Sequence, residues 1–221
     1  MKNDYIDIHT HHSNGNHFFI YNHFNIDPLN ASNKYCSIGI HPWYINNTNT
    51  NEHIEWIYKN VTNKKVIAIG ECGLDKSIDK EIDKQIAVFI LQINIALKYK
   101  KPLIIHCVKA HNELVAIKKK AKIILPMIVH GFNNSKTIAL ELLKNDFYLS
   151  FGKALMTKDS NAQKVIKLCP NNKLFLETDD GKFSIEEIYD AAAKILKLNV
   201  SDLQEKIKKN YEHVFNVKEN E

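Results

Sequence analysis

Arginine is missing altogether from the 221 residues, and all 30 basic side chains are lysines. No planar guanidinium fork is available, so any anion must be met by lysine, histidine, backbone amides or a metal ion. Cysteine is sparse: Cys36, Cys72, Cys107 and Cys169 stand far apart with no Cys-x-x-Cys pair. That spacing excludes a disulfide framework or a zinc finger and predicts free thiols. No apolar run approaches the roughly 20 residues that span a bilayer, and no basic stretch followed by an apolar core opens the chain. No membrane partner and a cytoplasmic location are therefore expected. Internal repeats and low-complexity linkers are absent too, so residues 1–221 are read as a single domain. The formal charge of +5 permits a nucleic-acid partner without indicating one.

What is present is an alternation of short apolar runs with helical patterns. Strands are expected at residues 5–9, 18–22, 35–39, 65–70, 103–107, 123–130, 147–151 and 173–177. Runs such as Val66-Ile67-Ala68-Ile69 and Leu103-Ile104-Ile105 are apolar throughout, as strands of a parallel sheet covered on both faces are. Between Asp83 and Lys98, the residues Ile86, Phe89, Ile90, Ile93 and Leu97 recur at helical spacing and predict one buried face. Further helices are expected near 51–62, 111–121, 134–144 and 159–168. Two closing helices carry capping-box patterns, Ser184 with Glu187 and Ser201 with Gln204. This order predicts an α/β fold, a (β/α)8 TIM-type barrel that is short and irregular over its first units and has extra C-terminal helices.

Functional side chains of such a barrel stand at the C-terminal ends of its strands. Those ends read His9-Thr10-His11, Gly39-Ile40-His41-Pro42, Gly70-Glu71-Cys72-Gly73-Leu74-Asp75, His106, His130-Gly131-Phe132 and Glu177-Thr178-Asp179. A single histidine after a strand means little. Imidazoles and carboxylates at this many strand ends suit a cage for divalent metal. His9, His11, Glu71, His106, His130 and Asp179 exceed the three protein ligands of a usual mononuclear catalytic zinc, which suggests two ions, zinc, manganese or magnesium. Side chains alternate along a strand, so His9 and His11 share a face and His12 points away.

In this order, His-Thr-His, Gly-Ile-His-Pro, Gly-Glu-Cys-Gly-Leu-Asp, Ile-His, His-Gly-Phe and Leu-Glu-Thr-Asp resemble the TatD family of metal-dependent deoxyribonucleases, within the amidohydrolase-like barrel superfamily. The resemblance runs from residue 5 to about 180. It implies one ion held by His9, His11, Glu71 and Asp179, and a second by His106, His130 and a shared Glu71. It also implies that Asp179 accepts the proton of the attacking water and that His41 contacts a substrate phosphate. The substrate implied is DNA, single-stranded or at its 3′ ends, or a small phosphodiester, cleaved by a metal-activated hydroxide. A monomer is favoured.

Two departures stand out. The family's arginine after the fifth strand is Val108 here, and the nearby cation is Lys109, one residue on. Asp180 adds an acid beside Asp179, which would disfavour a polyanion. These features favour a second reading, hydrolysis of a small amide, ester or lactone; a third is an idle metal-binding barrel. Asp75 suits either an outer partner of a ligating histidine or a turn. Trp43 and Tyr44 suit either base stacking or loop packing. Cys72 and Cys107 are read as packing residues.

Overall fold

The computed structural model describes residues 4–13, 15–29, 35–46 and 49–216. Its eight strands follow one another in the order β1 to β8 in a single sheet. Each strand pair with a defined register is parallel. This is the strand order of the expected (β/α)8 fold class. The chain divides into two compact units, Asn22–Ile128 on one hand, Met1–Tyr21 with Val129–Glu221 on the other. Strands β2 (Phe18–His23) and β6 (Met127–Val129) each contribute residues to both units.

The unit Asn22–Ile128 holds β3 (Tyr35–Ile38), β4 (Val66–Asp75) and β5 (Leu103–Val108), with α1 (Thr50–Asn60), α2 (Ile82–Tyr99) and α3 (His111–Lys120). The apolar run predicts that β4 stops at Gly70, but the strand continues to Asp75 and is buried along its whole length. The reason is pairing: Cys72, Gly73, Leu74 and Asp75 stay in register with Ile105, His106, Cys107 and Val108. Glu71 and Asp75 therefore belong to the strand. Gly73, at φ 140°, lies so close to β5 that an added Cβ would stand 2.0 Å from the carbonyl oxygen of His106.

Helix α2 buries Phe89 and Ile93 as predicted, but its buried face is turned from the one expected. Gln85, Val88, Phe89, Gln92, Ile93, Ile95 and Ala96 face inward, whereas Ile90 and Leu97 are 41% and 38% exposed. Two glutamines explain the rotation. The Gln92 side chain accepts from the Ile40 N–H at 2.7 Å and donates to the Ile40 carbonyl at 3.2 Å. Gln85 does the same for Asp75, at 2.7 and 2.9 Å. Buried peptide groups must be paired, and these two amides pair the ones next to His41 and at the end of β4. Replacing Gln92 with leucine strands both groups of Ile40, and chemical denaturation should show a loss of about 2–3 kcal/mol.

In the other unit, β1 (Ile6–Thr10), β7 (Tyr148–Phe151) and β8 (Leu174–Leu176) accompany α4 (Lys136–Lys144), α5 (Asn161–Val165), α6 (Ile185–Leu196) and α7 (Val200–Phe215). The Ser184–Glu187 capping box forms as expected. The Ser201–Gln204 box does not. Asn199 is the N-cap of α7 and makes no side-chain cap bond, so Ser201 already lies inside the first turn. Buried Tyr189 of α6 donates to the Ile6 carbonyl at 3.0 Å and accepts from the Ile6 N–H at 3.2 Å, which fastens the helix to β1. Asn210 of α7 donates to the carbonyls of Asn171 and Leu174, at 2.7 and 2.8 Å, and fastens that helix to the start of β8.

The sixth strand is shorter than the apolar stretch 123–130 suggested. The Ile123 N–H closes the end of α3 on the Lys118 carbonyl, and pairing begins only at Pro126, whose carbonyl accepts from the Leu103 N–H. Among the described residues no helix is long and apolar enough to cross a membrane. All four cysteines are free and buried. Burial pushes the thiols of Cys36, Cys107 and Cys169 up to about 12 and that of Cys72 upward as well. The thiolate is the reactive form, so a colorimetric thiol reagent at pH 8 should label the native protein negligibly and all four cysteines after unfolding.

Candidate metal centres

The unit built on β1 and β8 gathers His9, His11, His130 and Asp179. Thr10 and Asp179 form a parallel bridge: the Asp179 N–H donates to the His9 carbonyl at 2.9 Å, and the His11 N–H to the Asp179 carbonyl at 3.0 Å. The two histidines flank that bridge on one face, and Asp179 sits in the left-handed region at φ 56°. One carboxylate oxygen, Oδ1, lies 3.7 Å from His9 Nε2 and 3.6 Å from His11 Nε2. The rings of His9 and His130 are 4.3 Å apart. One donor atom each from His9, His130 and Asp179 fall within 4.8 Å of one another. His12 stays outside the group, as alternation requires, with its ring 3.2 Å from the Gly181 carbonyl.

Behind these donors lies a buried carboxylate to which its place at the eighth strand end assigned no role of its own. Glu177 Oε1 accepts from the Gly131 N–H at 2.6 Å and lies 3.3 Å from His130 Nδ1. Engaging Nδ1 in this way fixes the ring and leaves Nε2 as the candidate ligand nitrogen. Burial acts to raise the Glu177 pKa, but attraction to His130 and His9 together with hydrogen bonds from His130 and Ser150 holds the carboxyl below its ordinary value. Asp7 accepts from the Thr178 N–H at 3.1 Å and hydroxyl at 2.6 Å, and its burial pushes it up to about 8.

Lys153, which follows β7, is the second unforeseen residue. Its ammonium lies 3.5 Å from Asp179 Oδ2 and in close contact with Asp180 Oδ1. The hydrogen bond from Lys153 holds Asp180 below the usual carboxylate range. The extra acid thus arrives with its own counter-ion.

The unit Asn22–Ile128 carries a donor group of its own. Glu71 Oε1 is 3.1 Å from His41 Nε2 and 3.2 Å from His106 Nδ1, and these three residues again offer donor atoms within 4.8 Å. Asn22 clasps Glu71 from both sides: its amide donates to Oε2 at 3.1 Å and accepts from the Glu71 N–H at 3.0 Å. Nothing local marks Asn22, since its partner is 49 residues away.

Asp75 makes contacts of both kinds that its position suggested, to a histidine and within a turn. Its Oδ2 lies 3.0 Å from His106 Nε2 and accepts from the Trp43 indole at 2.8 Å, while Oδ1 accepts from the Ser77 N–H at 2.8 Å. Burial acts to raise it, but bonds from Ser77, Trp43 and His106 prevail and hold it at about 2. With Nε2 of His106 so occupied, Nδ1 is the nitrogen turned toward Glu71. His41 Nδ1 accepts from the Trp43 N–H at 3.1 Å. Its Nε2 therefore carries the proton and is a donor. Lys109 follows β5 at φ 53° and is exposed; it forms no ion pair with any described residue.

Paired imidazole and carboxylate donors at the strand ends of a (β/α)8 fold define the amidohydrolase-like barrel class. A profile of the TatD related DNase family matches residues 28–216, and the chain belongs to that family. It is 39% identical over 148 residues to an uncharacterized metal-dependent hydrolase of Bacillus subtilis, YabD, covering 66% of this chain and 58% of the relative. The chain spans less than two thirds of the length of such curated relatives, between 56% and 64% for three of them. Among solved structures, the TatD homologue YJJV of Escherichia coli superposes with a TM-score of 0.84 at 20% identity, over 99% of this chain and 100% of that one. A TatD family hydrolase of Entamoeba histolytica gives 0.78 at 16% identity, over 97% and 99%. At those identities the likeness speaks for the fold.

Proposed function

We propose that this protein is a metal-dependent phosphodiesterase acting on DNA at unpaired strand ends. His9, His11, Glu71, His106, His130 and Asp179 are the metal ligands in this reading. The observation that carries it is Asp179, turned by a left-handed backbone so that one oxygen faces both His9 and His11. The donors fit the group: His130 and His106 each have one ring nitrogen held, by Glu177 and Asp75 respectively, and imidazoles with carboxylates beside them suit zinc or manganese. A bound divalent ion would supply Lewis acidity and bring the pKa of a water toward neutrality.

The chain's own residues have distinct tasks. Asp179 takes the proton from the attacking water as general base. Lys153, 3.5 Å from its other oxygen, orients that carboxylate. His41, with a proton on Nε2, donates to a phosphate oxygen. Asn22 and Asp75 hold Glu71 and His106 in place. The pairing of Asp180 with Lys153 removes the main reason for preferring an uncharged amide, ester or lactone substrate.

The test is metal analysis of the purified protein, followed by assay of its Mg, Mn and Zn forms on single-stranded DNA and on a small phosphodiester. Hydrolysis of both in at least one form is expected. Bound metal without phosphodiesterase activity in any form would overturn the reading.

A further inference from the structure

The loop that follows Gly39 exposes aromatic surface beside a donor group. Trp43 is 54% exposed, Tyr44 48% and Phe24 39%, in a unit whose other large aromatics are mostly covered. These three are not scattered. Phe24 and Tyr44 stack with centroids 6.1 Å apart and planes 29° apart. Tyr44 lies 5.9 Å from the His41 ring, and Trp43 lies 5.0 Å from His41 and 6.1 Å from His106. One continuous row of rings thus leads from solvent to the group His41, Glu71 and His106.

The row is also held in shape. Pro42 opens a 3-10 turn over Pro42–Tyr44, with His41 as its N-cap. The Trp43 indole is fixed by its 2.8 Å bond to Asp75. Lys80 donates to the carbonyls of Trp43 and Ile45 at 2.7 and 2.6 Å, so the turn is clamped and a cation stands next to the rings. Exposed apolar surface of this kind is costly in water unless something covers it. Loop packing alone does not account for it, because the rings meet each other and the histidines and still leave 39–54% of these residues exposed.

Resting on the phosphodiesterase reading, we propose that Trp43, Tyr44 and Phe24 form a stacking platform for unpaired nucleobases of the strand being cleaved. Rings stack on any base, so the platform grips single strands without reading sequence. Paired bases in a duplex keep their faces to each other and cannot use it. The occupant is a base, because a phosphate or protein carboxylate gains nothing from ring faces and the cation beside them, Lys80, is already engaged with carbonyls.

The experiment reads binding without turnover. In a Trp56→Phe background Trp43 is the one remaining tryptophan, and its fluorescence is followed in excess chelator as oligothymidylate is added. Saturable quenching is expected. An abasic oligonucleotide of the same length and charge should quench and bind about tenfold or more weakly. Tyr44→Ala should weaken oligothymidylate binding about tenfold, and Tyr44→Phe should restore it. Equal binding of the abasic strand, or no effect of Tyr44→Ala, overturns the platform. Either result would leave untouched the metal-dependent hydrolysis of a small phosphodiester, which tests the phosphodiesterase reading separately.

Discussion

Replacing Asp179 with asparagine is expected to lower phosphodiester hydrolysis about a thousandfold, as loss of a general base does, with little change in fold. The substitution keeps the shape of the side chain and the left-handed backbone, which asparagine tolerates well. It keeps the two main-chain bonds to His9 and His11. What it removes is the carboxylate that faces both imidazoles and, in the proposed mechanism, accepts the proton. Steady-state rates on a small phosphodiester, with circular dichroism as a control, check this. Metal content of histidine variants gives the companion result. His9→Ala should lose bound metal. His12→Ala should retain it, since the His12 ring turns instead to the Gly181 carbonyl. Equal metal loss in both would contradict the assignment.

The largest expected effect on stability comes from Gly73→Ala. An added Cβ would meet the His106 carbonyl oxygen at 2.0 Å, where neither partner is a flexible side chain. The strands β4 and β5 would have to separate locally, and the residue would also be forced to hold φ 140°. Overpacking and backbone strain of this kind cost about 3 kcal/mol together, or about 6–12 °C in the thermal midpoint of a chain this long. Calorimetry measures the shift. Because the clash falls on the backbone of His106, metal affinity should fall as well. A midpoint within 2 °C of the parent would contradict the close packing of β4 on β5.

Much of the candidate donor set was legible because strand ends announce themselves. An apolar run followed by histidine or a carboxylate identifies both the element and the residue that projects from its end, which is how His9, His41, Glu71, His106, His130 and Asp179 were found. Strand alternation was enough to separate His11 from His12. The α2 face was misread for a specific reason. Hydrophobic periodicity assumes that the buried side is apolar, and it has no means of anticipating that Gln85 and Gln92 are drawn inward by unpaired peptide groups of Asp75 and Ile40. The length of β4 was misread because glycines end strands by local preference, whereas Gly70 and Gly73 here permit close approach to the neighbouring strand.

The sequence by itself determined the chemistry available: imidazoles and carboxylates at strand ends, lysine as the one cation, thiols too isolated to pair. It determined the order of the elements too, since apolar periodicity is a local property of the chain. Only the tertiary structure decided which groups serve one another. Asn22 with Glu71, Glu177 with His130, Lys153 with Asp180, and the aromatic row beside His41 are all meetings of residues remote in the chain or of faces set by packing. Such pairings depend on distance in space, where a hydrogen bond or an ion pair acts over about 3 Å, and no local pattern of residues carries that information.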